Sequence, residues 1–271
     1  MVEFDEMKIY RGDDIKINTN IIMKIPTVNQ IIDFGEYSYF NAVYTFASVG
    51  ADLKWQLWDL GIDYTTIEDY DLFVDIISRF VASKKTIRQD IIDNPENYDR
   101  EFSEDELNDM LKNPMQLIFD DIDFADFGIY EIKETKQKIL YNIEKDITID
   151  RLAYSRMVDV IRAIHGFTRN NQKPANERTK MDLIEDARDE AMMAQNKPEK
   201  SILKPMISTL QVYSSQCGDD RIFNMPISMF FENVKRINKI QDAKSLMQGA
   251  YSGFADLKGI DKERFDMFSD I

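Results

Sequence analysis

The chain has one histidine, His165, and one cysteine, Cys217, in 271 residues. Without a second histidine, a His-rich zinc site within one chain is excluded, and Cys217, in Gln216-Cys217-Gly218-Asp219, has no CxxC partner. A single thiol also excludes an intramolecular disulfide framework and fits a reducing compartment, so a cytoplasm is the expected location. Basic residues are outnumbered: 34 Lys and Arg stand against 49 Asp and Glu, a formal net charge of −15 that repels phosphate backbones and anionic lipid. Neither nucleic acid nor membrane is therefore an expected partner. The longest apolar stretches, such as Leu72-Phe73-Val74-Asp75-Ile76-Ile77, are broken by charge far short of the roughly 18 residues that span a bilayer. Met1 to Asp14 has no basic start leading into an apolar run, so no secretory signal is expected. Repeats of fixed period and low-complexity tracts are also missing, which removes solenoids, propellers and coiled-coil rods.

What is present is enough apolar surface, 44% hydrophobic and 11% aromatic, for a substantial core. The densest patterning runs from Ile25 to Asp71. An alternating opening, Lys16 to Ile25, predicts one or two strands before Pro26 ends extended pairing. Thr27 then caps a helix through Phe34, apolar residues from Phe40 to Val49 recur at three and four with Gly50 as a stop, and Leu53, Leu57 and Leu60 share a face of a short helix that Gly61 closes. Thr65-Thr66-Ile67-Glu68 has the capping-box pattern, and Ile67, Tyr70, Phe73, Val74, Ile77 and Phe80 follow as an amphipathic stripe that ordinary core packing explains.

From Asp90 to Pro114 the chain turns polar, with Asn94-Pro95 and Asn113-Pro114 as breakers around a short helix begun by Ser103-Glu104-Asp105-Glu106. The period then changes to two at Gln116–Phe119, Phe127–Ile132 and Lys138–Ile143, with Glu134-Thr135-Lys136-Gln137 turning a hairpin. After Asp150, Leu152–Ile164, Glu177–Gln195, Ile202–Tyr213 and Ile227–Met247 carry helix-period apolar residues between breakers at Gly166, Pro174, Pro198 and Pro226. The expected fold is α+β, mainly α-helical: a helical N-terminal part (1–95), a linker and small antiparallel β-hairpin region (96–149), and a C-terminal helical bundle with a Gly-rich end (150–271).

Reactive constellations are few. Asp-Phe-Gly occurs at Asp33-Phe34-Gly35 and Asp126-Phe127-Gly128, but a kinase also needs a glycine-rich loop, a strand lysine and a His-Arg-Asp loop, none of which is present. Asp33-Phe34-Gly35 reads instead as a helix stop. The run Asp120 to Asp126 gathers four carboxylates without the EF-hand glycine or closing glutamate. Asp121 and Asp123, followed by Glu131 and Lys133 on a strand, resemble the core of metal-dependent nucleases, but a solvated acidic loop and edge strand is by far the commoner origin of such a pattern. No metal or other cofactor is expected. His165, just before Gly166, reads as a helix-end cation favoured by the dipole rather than as a base. Lys84-Lys85 with Arg88, and Arg169 to Arg178 with Lys173 and Lys180, read as solvated charge because no aromatics are interleaved. Fourteen methionines, many in the helical half, read as core filling.

The segments Ile25-Pro26-Thr27 through Asp33-Phe34-Gly35-Glu36, Asp52-Leu53-Lys54-Trp55-Gln56-Leu57, Gly61-Ile62-Asp63-Tyr64, Asp71-Leu72-Phe73 and Met247-Gln248-Gly249-Ala250-Tyr251-Ser252-Gly253 bracket most of the chain. On them the chain resembles poorly characterised proteins from the tail region of tailed phages and prophages of Gram-positive bacteria. The resemblance implies a non-enzymatic virion component or assembly factor, located in the host cytoplasm during assembly and, as a component, in the virion, with tail or other virion proteins, or copies of itself, as partners. The residues expected to carry contacts are Phe34, Tyr37, Tyr39, Trp55, Trp58, Tyr251 and Phe254. Two alternatives stand beside it: the metal-dependent nuclease above, and an acidic phage inhibitor that mimics DNA through its charge.

Overall fold

The computed structural model describes residues 5–133, 135–195, 200–213, 219–252 and 261–269. It is α+β and mainly helical, with two small antiparallel sheets among the described residues. Asp5 starts α1 (Glu6–Arg11) by accepting from the Met7 and Lys8 amides. Gly12 ends it at φ 80°, where a Cβ would lie 2.6 Å from Pro226 Cγ, so only glycine fits both the backbone and the space. This helix buries only Ile9 and is too short to leave a periodic trace, which is why it is absent from the sequence reading.

β1 (Ile15–Lys16) and β2 (Ile22–Met23) pair antiparallel, the hairpin expected before Pro26. The Asn18 side chain makes the turn by accepting from the amides of Asn20 and Ile21. α2 (Val28–Phe34) carries the Thr27–Gln30 capping box and stops at Gly35, φ 109°. α3 (Glu36–Ala47) stops before Gly50: Ser48 terminates it and donates its hydroxyl to the Tyr44 carbonyl. Gly50 serves close approach instead, since a Cβ there would lie 2.4 Å from the Tyr64 carbonyl oxygen. α4 (Lys54–Asp59) buries Leu57 and is followed by Gly61 at φ 72°, but Leu60 is exposed.

The expected box at Thr65–Glu68 does not form. Asp63 takes the Thr65 amide and hydroxyl, and Glu68 bonds Arg151, so the helix starts only after Glu68. α5 (Asp69–Leu72), a π-helical turn (Phe73–Ile77) and α6 (Ser78–Phe80) follow without interruption. Tyr70, Phe73, Val74 and Ile77 are buried, whereas Phe80, the end of the expected stripe, is exposed.

α7 (Lys85–Asp93) continues through the segment read as loop from Asp90. α8 (Glu104–Asp109) has its Ser103–Glu106 capping box. Gln116–Phe119 is not a strand: the Ile118 and Phe119 amides both donate to the Met115 carbonyl, a turn that buries Met115, Ile118 and Phe119 together. β3 (Gly128–Glu131) and β4 (Lys138–Asn142) form the expected hairpin, with Glu131 opposite Lys138. A third strand, β5 (Ile147–Ile149), adds to β4, and its Ile149 carbonyl accepts from the Tyr70 hydroxyl.

α9 (Arg151–His165) begins at an Asp150 cap and ends at Gly166, φ 66°. α10 (Glu177–Gln195) lies along α4 of the N-terminal part. α11 (Leu203–Tyr213), α12 (Asp219–Phe223) and α13 (Ile227–Tyr251) complete the helical C-terminal part; α11 and α9 both pack on α13, which runs past Met247. The return segment, residues 261–269, docks on α13: the Arg236 guanidinium donates to the carbonyls of Met267 (2.9 Å) and Ser269 (2.8 Å), and Arg264 pairs with Asp242. Gly253, Phe254 and Cys217 lie outside the described residues.

One connected set of buried apolar residues runs from Ile9 to Phe230 and draws on all three parts of the chain. At its centre Phe73 stacks on Tyr154 of α9 with ring centroids 4.3 Å apart, and Phe46 and Phe124 meet Phe73 edge-on. Among the described residues no helix is long and apolar enough to cross a membrane.

Candidate functional site

The acidic residues of the central region do not converge. Asp120 pairs with Lys24, Asp126 with Lys85, and Glu131 with Lys136 at 3.1 Å on the exposed face of β3. Asp123 turns inward, accepting from the Ser83 and Ala125 amides, each at 3.0 Å. Burial opposes its charge, but the bonds from Ser83 and Ala125 and the Lys85 ammonium outweigh that and hold the carboxyl below the usual carboxylate range. Asp121 and Lys133 are exposed. Among the described residues no three His, Cys, Asp or Glu side chains form a group that could hold a metal ion. The resemblance of Asp121, Asp123, Glu131 and Lys133 to a nuclease core is one of sequence order and not of geometry.

His165 is at the helix end expected for it, but it is not a cation. Its ring is buried, stacked on Phe167 at 5.2 Å, with Nδ1 2.7 Å from the Ile161 carbonyl and Nε2 2.8 Å from the Tyr39 hydroxyl. A carbonyl only accepts, so Nδ1 carries the proton and Nε2 accepts from Tyr39. Burial lowers the imidazole pKa to about 4, against a smaller upward pull from the Ile161 bond. Removal from water overrides the helix dipole here.

The aromatic residues expected to carry contacts separate by helical phase. Tyr39 is fully buried and is thereby corrected from surface contact to core. Phe34 and Trp55 are half-buried against the core, while Tyr37 is 64% exposed, Trp58 40% and Tyr251 92%. Tyr44, 53% exposed and missing from the sequence set, stands seven positions after Tyr37 on the outer face of α3 and meets Phe167 edge-on.

A cleft of about 520 Å³ lies elsewhere, between the Val49–Ala51 loop, the Tyr64–Asp69 segment, and the loop that leads into α10. Its walls are fixed by charge. Arg169 makes a bidentate pair with Asp69 (2.9 and 3.1 Å), and Lys180, almost completely buried, bonds Asp63 at 2.7 Å. The Lys180 bond, followed by those from Thr65, lowers the Asp63 pKa to about 2. Arg169 and Lys180, read from sequence as solvated charge, are therefore structural members of this wall. Asp52 joins the two sides by accepting from the Val49 amide (2.9 Å) and the Asn170 side chain (2.8 Å). Tyr64 is among the lining residues; its hydroxyl is buried and has no hydrogen-bond partner among the described residues. Burial raises the phenol pKa, with Asp63 and Glu177 adding to the shift and Lys180 opposing it, so the group stays protonated.

Gly50 lets two of the lining segments meet, since its Cα lies against the Tyr64 carbonyl. Gly50→Ala is expected to cost about 2 kcal/mol, because the added methyl meets backbone and not a movable side chain. Urea denaturation would measure it, and an unchanged midpoint would show that the 49–51 and 64–67 segments separate freely. The sequence signal for the cleft was the amide-rich run Asn170-Asn171-Gln172 to Asn176, but nothing local assigns it to Gly50 and Tyr64.

Comparison with known proteins finds no family model that matches the chain, no similar curated protein and no similar solved structure.

Proposed function

We propose that this chain is a non-enzymatic structural or assembly protein of a bacteriophage, most specifically of the tail region, and that it works through protein–protein contacts. The observation that carries the contact role is the outer face of α3, where Tyr37 and Tyr44 stand more than half exposed on a helix whose other face, Tyr39, Val43 and Phe46, is locked in the core. Rigid tyrosines lose little conformational entropy on docking and are enriched among residues that dominate interface energies. The tail assignment comes from the sequence resemblance alone. Virion proteins of the same phage are the expected partners, with a second copy of the chain as the other candidate.

Co-expression with the products of neighbouring tail genes, followed by size-exclusion chromatography with light scattering, tests it. A defined complex well above 31.8 kDa is expected, and the double substitution Tyr37→Ala with Tyr44→Ala should weaken it at least about tenfold, the scale of a loss of roughly 1.4 kcal/mol. A strict monomer that binds no virion protein would overturn the proposal. Full affinity in the double variant would remove the α3 face from it.

A further inference from the structure

The segment from α7 to α8 stands outside the core. No residue between Ala82 and Met115 belongs to the connected buried set or packs against it, although Ile87, Ile91, Ile92, Phe102, Leu107 and Leu111 are apolar. What ties the segment to the body is polar: the Ser83 amide donates to Asp123 (3.0 Å), Lys85 pairs with Asp126, and the Asn113 side chain donates to the Ile122 carbonyl (2.8 Å). It therefore keeps an apolar face of its own. Ile91, Ile92, Phe102 and Leu107 line a groove of about 620 Å³, and Ile92 is exposed. The groove is braced from within. Tyr98 donates its hydroxyl to Asp90 (2.6 Å) and meets Phe102 edge-on, while Arg88 Nε joins α7 to α8 by donating to the Leu107 carbonyl (3.1 Å). The charge around it is of one sign: from Asp90 to Asp109 nine carboxylates stand against one basic residue, Arg100. Arg100 is already engaged, paired with Glu106 at 2.8 Å and lying 4.1 Å over the Phe102 ring. Asp99 and Glu101, which line the groove, are exposed and make no ion pair among the described residues.

We infer that this groove docks a cationic amphipathic segment of a partner protein, its apolar side chains against Ile92 and Phe102 and its lysines or arginines against Asp99 and Glu101. An apolar strip edged by carboxylates selects for both features at once, burial supplying affinity and opposite charge supplying orientation. A second copy of the chain is disfavoured, because it would bring the same nine carboxylates against themselves. Nucleic acid and anionic lipid are repelled by the same sign of charge. The inference goes beyond the tail-assembly proposal and shares no residue with the Tyr37–Tyr44 face, so either can fail alone.

The test is fluorescence anisotropy of the full chain with a labelled helical peptide that carries leucines at three- and four-residue steps and lysines elsewhere. Oligolysine of the same charge and a leucine–glutamate analogue are the comparisons. Saturable binding of the leucine–lysine peptide is expected, at least about tenfold tighter than oligolysine, with none by the glutamate analogue. Ile92→Ser, and separately Asp99→Lys with Glu101→Lys, should each weaken it about tenfold. The control is Asp182→Lys with Glu185→Lys, an equal change of charge on exposed residues of α10, which should leave affinity within about twofold. All the substituted side chains are exposed, so melting temperatures should match that of the native chain. An absence of saturable binding overturns the inference, and so does oligolysine that binds as tightly. An equal loss in the α10 variant overturns it too, since net charge alone would then explain binding. A concentration-dependent dimer that Ile92→Ser dissolves would give the groove to a second copy and likewise overturn it.

Discussion

Replacing Phe73 by alanine is expected to destabilise the fold by about 3–5 kcal/mol, a large part of the roughly 5–15 kcal/mol that holds a typical domain together. The ring is fully buried where three parts of the chain meet: stacked on Tyr154 at 4.3 Å, edge-on to Phe46 at 5.2 Å and to Phe124 at 5.8 Å. Losing it removes apolar burial and also leaves a cavity, whose cost depends on how far the walls can move. They are held. Tyr70, one turn earlier, is bonded to the Ile149 carbonyl, Tyr154 is fixed on α9, and Phe124 lies on the short helical turn that Asp123 caps. Phe73→Leu retains most of the volume and should cost nearer about 1.5 kcal/mol. Urea denaturation of both variants checks this through the midpoint at constant slope. A Phe73→Ala loss below that of Phe73→Leu would mean that the aromatic cluster is not the joint between the N-terminal, central and C-terminal parts.

That joint was only partly legible in the sequence. Signals that are local survived: Thr27 with Gln30 and Ser103 with Glu106 form their capping boxes because each pair needs no partner beyond three residues. The same pattern at Thr65–Glu68 fails because stronger partners are available, Asp63 for Thr65 and Arg151, 83 residues away, for Glu68. Tertiary charge pairing outcompeted a local cap. At Gln116–Phe119 the apolar residues suit a strand, yet Met115, Ile118 and Phe119 lie at the spacing of a helical turn and are buried as one. β5 and α1 are three and six residues long and cannot establish a period.

The site was less legible than the fold, for a physical reason. Tyr37, Tyr39 and Tyr44 were separable by helical phase, since residues 39, 43 and 46 face one way and 37 and 44 the other. The cleft was not separable by any such rule. It joins Gly50, Tyr64 and the 169–177 loop only because α10 packs along α4, where Asp59 meets Arg188 and Asp63 meets Lys180. Composition pointed at the 169–180 segment as charged and solvent-facing, and Arg169, Lys173 and Arg178 are exposed; Lys180 is the exception, buried against its carboxylate partner Asp63.

Acidification is expected to destabilise the protein by about 3 kcal/mol between pH 6.5 and 4 through His165 alone. In the unfolded chain the imidazole takes a proton near its ordinary value of 6.5, whereas in the fold it does so only near 4. Within that window the unfolded state binds more protons, so stability is complete above about pH 6.5 and falls as pH falls, levelling off below about pH 4. Apart from the Ile161 carbonyl, which favours the charged form, the surroundings of the ring resist its charging. Tyr39 donates its hydroxyl to Nε2 and is itself held neutral by burial, Phe40, Phe167 and Phe231 enclose the ring, and the Lys235 ammonium lies against Gly166, the next residue. Asp63 does not confuse the measurement, because its carboxyl is lowered to about 2 and loses its contribution below the ordinary carboxylate range. Denaturation midpoints measured across pH 4 to 7 for the native chain and for the double variant Tyr39→Phe with His165→Phe separate the effect, since removing both partners leaves no unpaired hydroxyl. The native chain should show the loss and the double variant most of its absence. An imidazole that titrates near pH 6.5 by NMR in the folded protein would overturn this assignment and restore the helix-end cation that the sequence suggested.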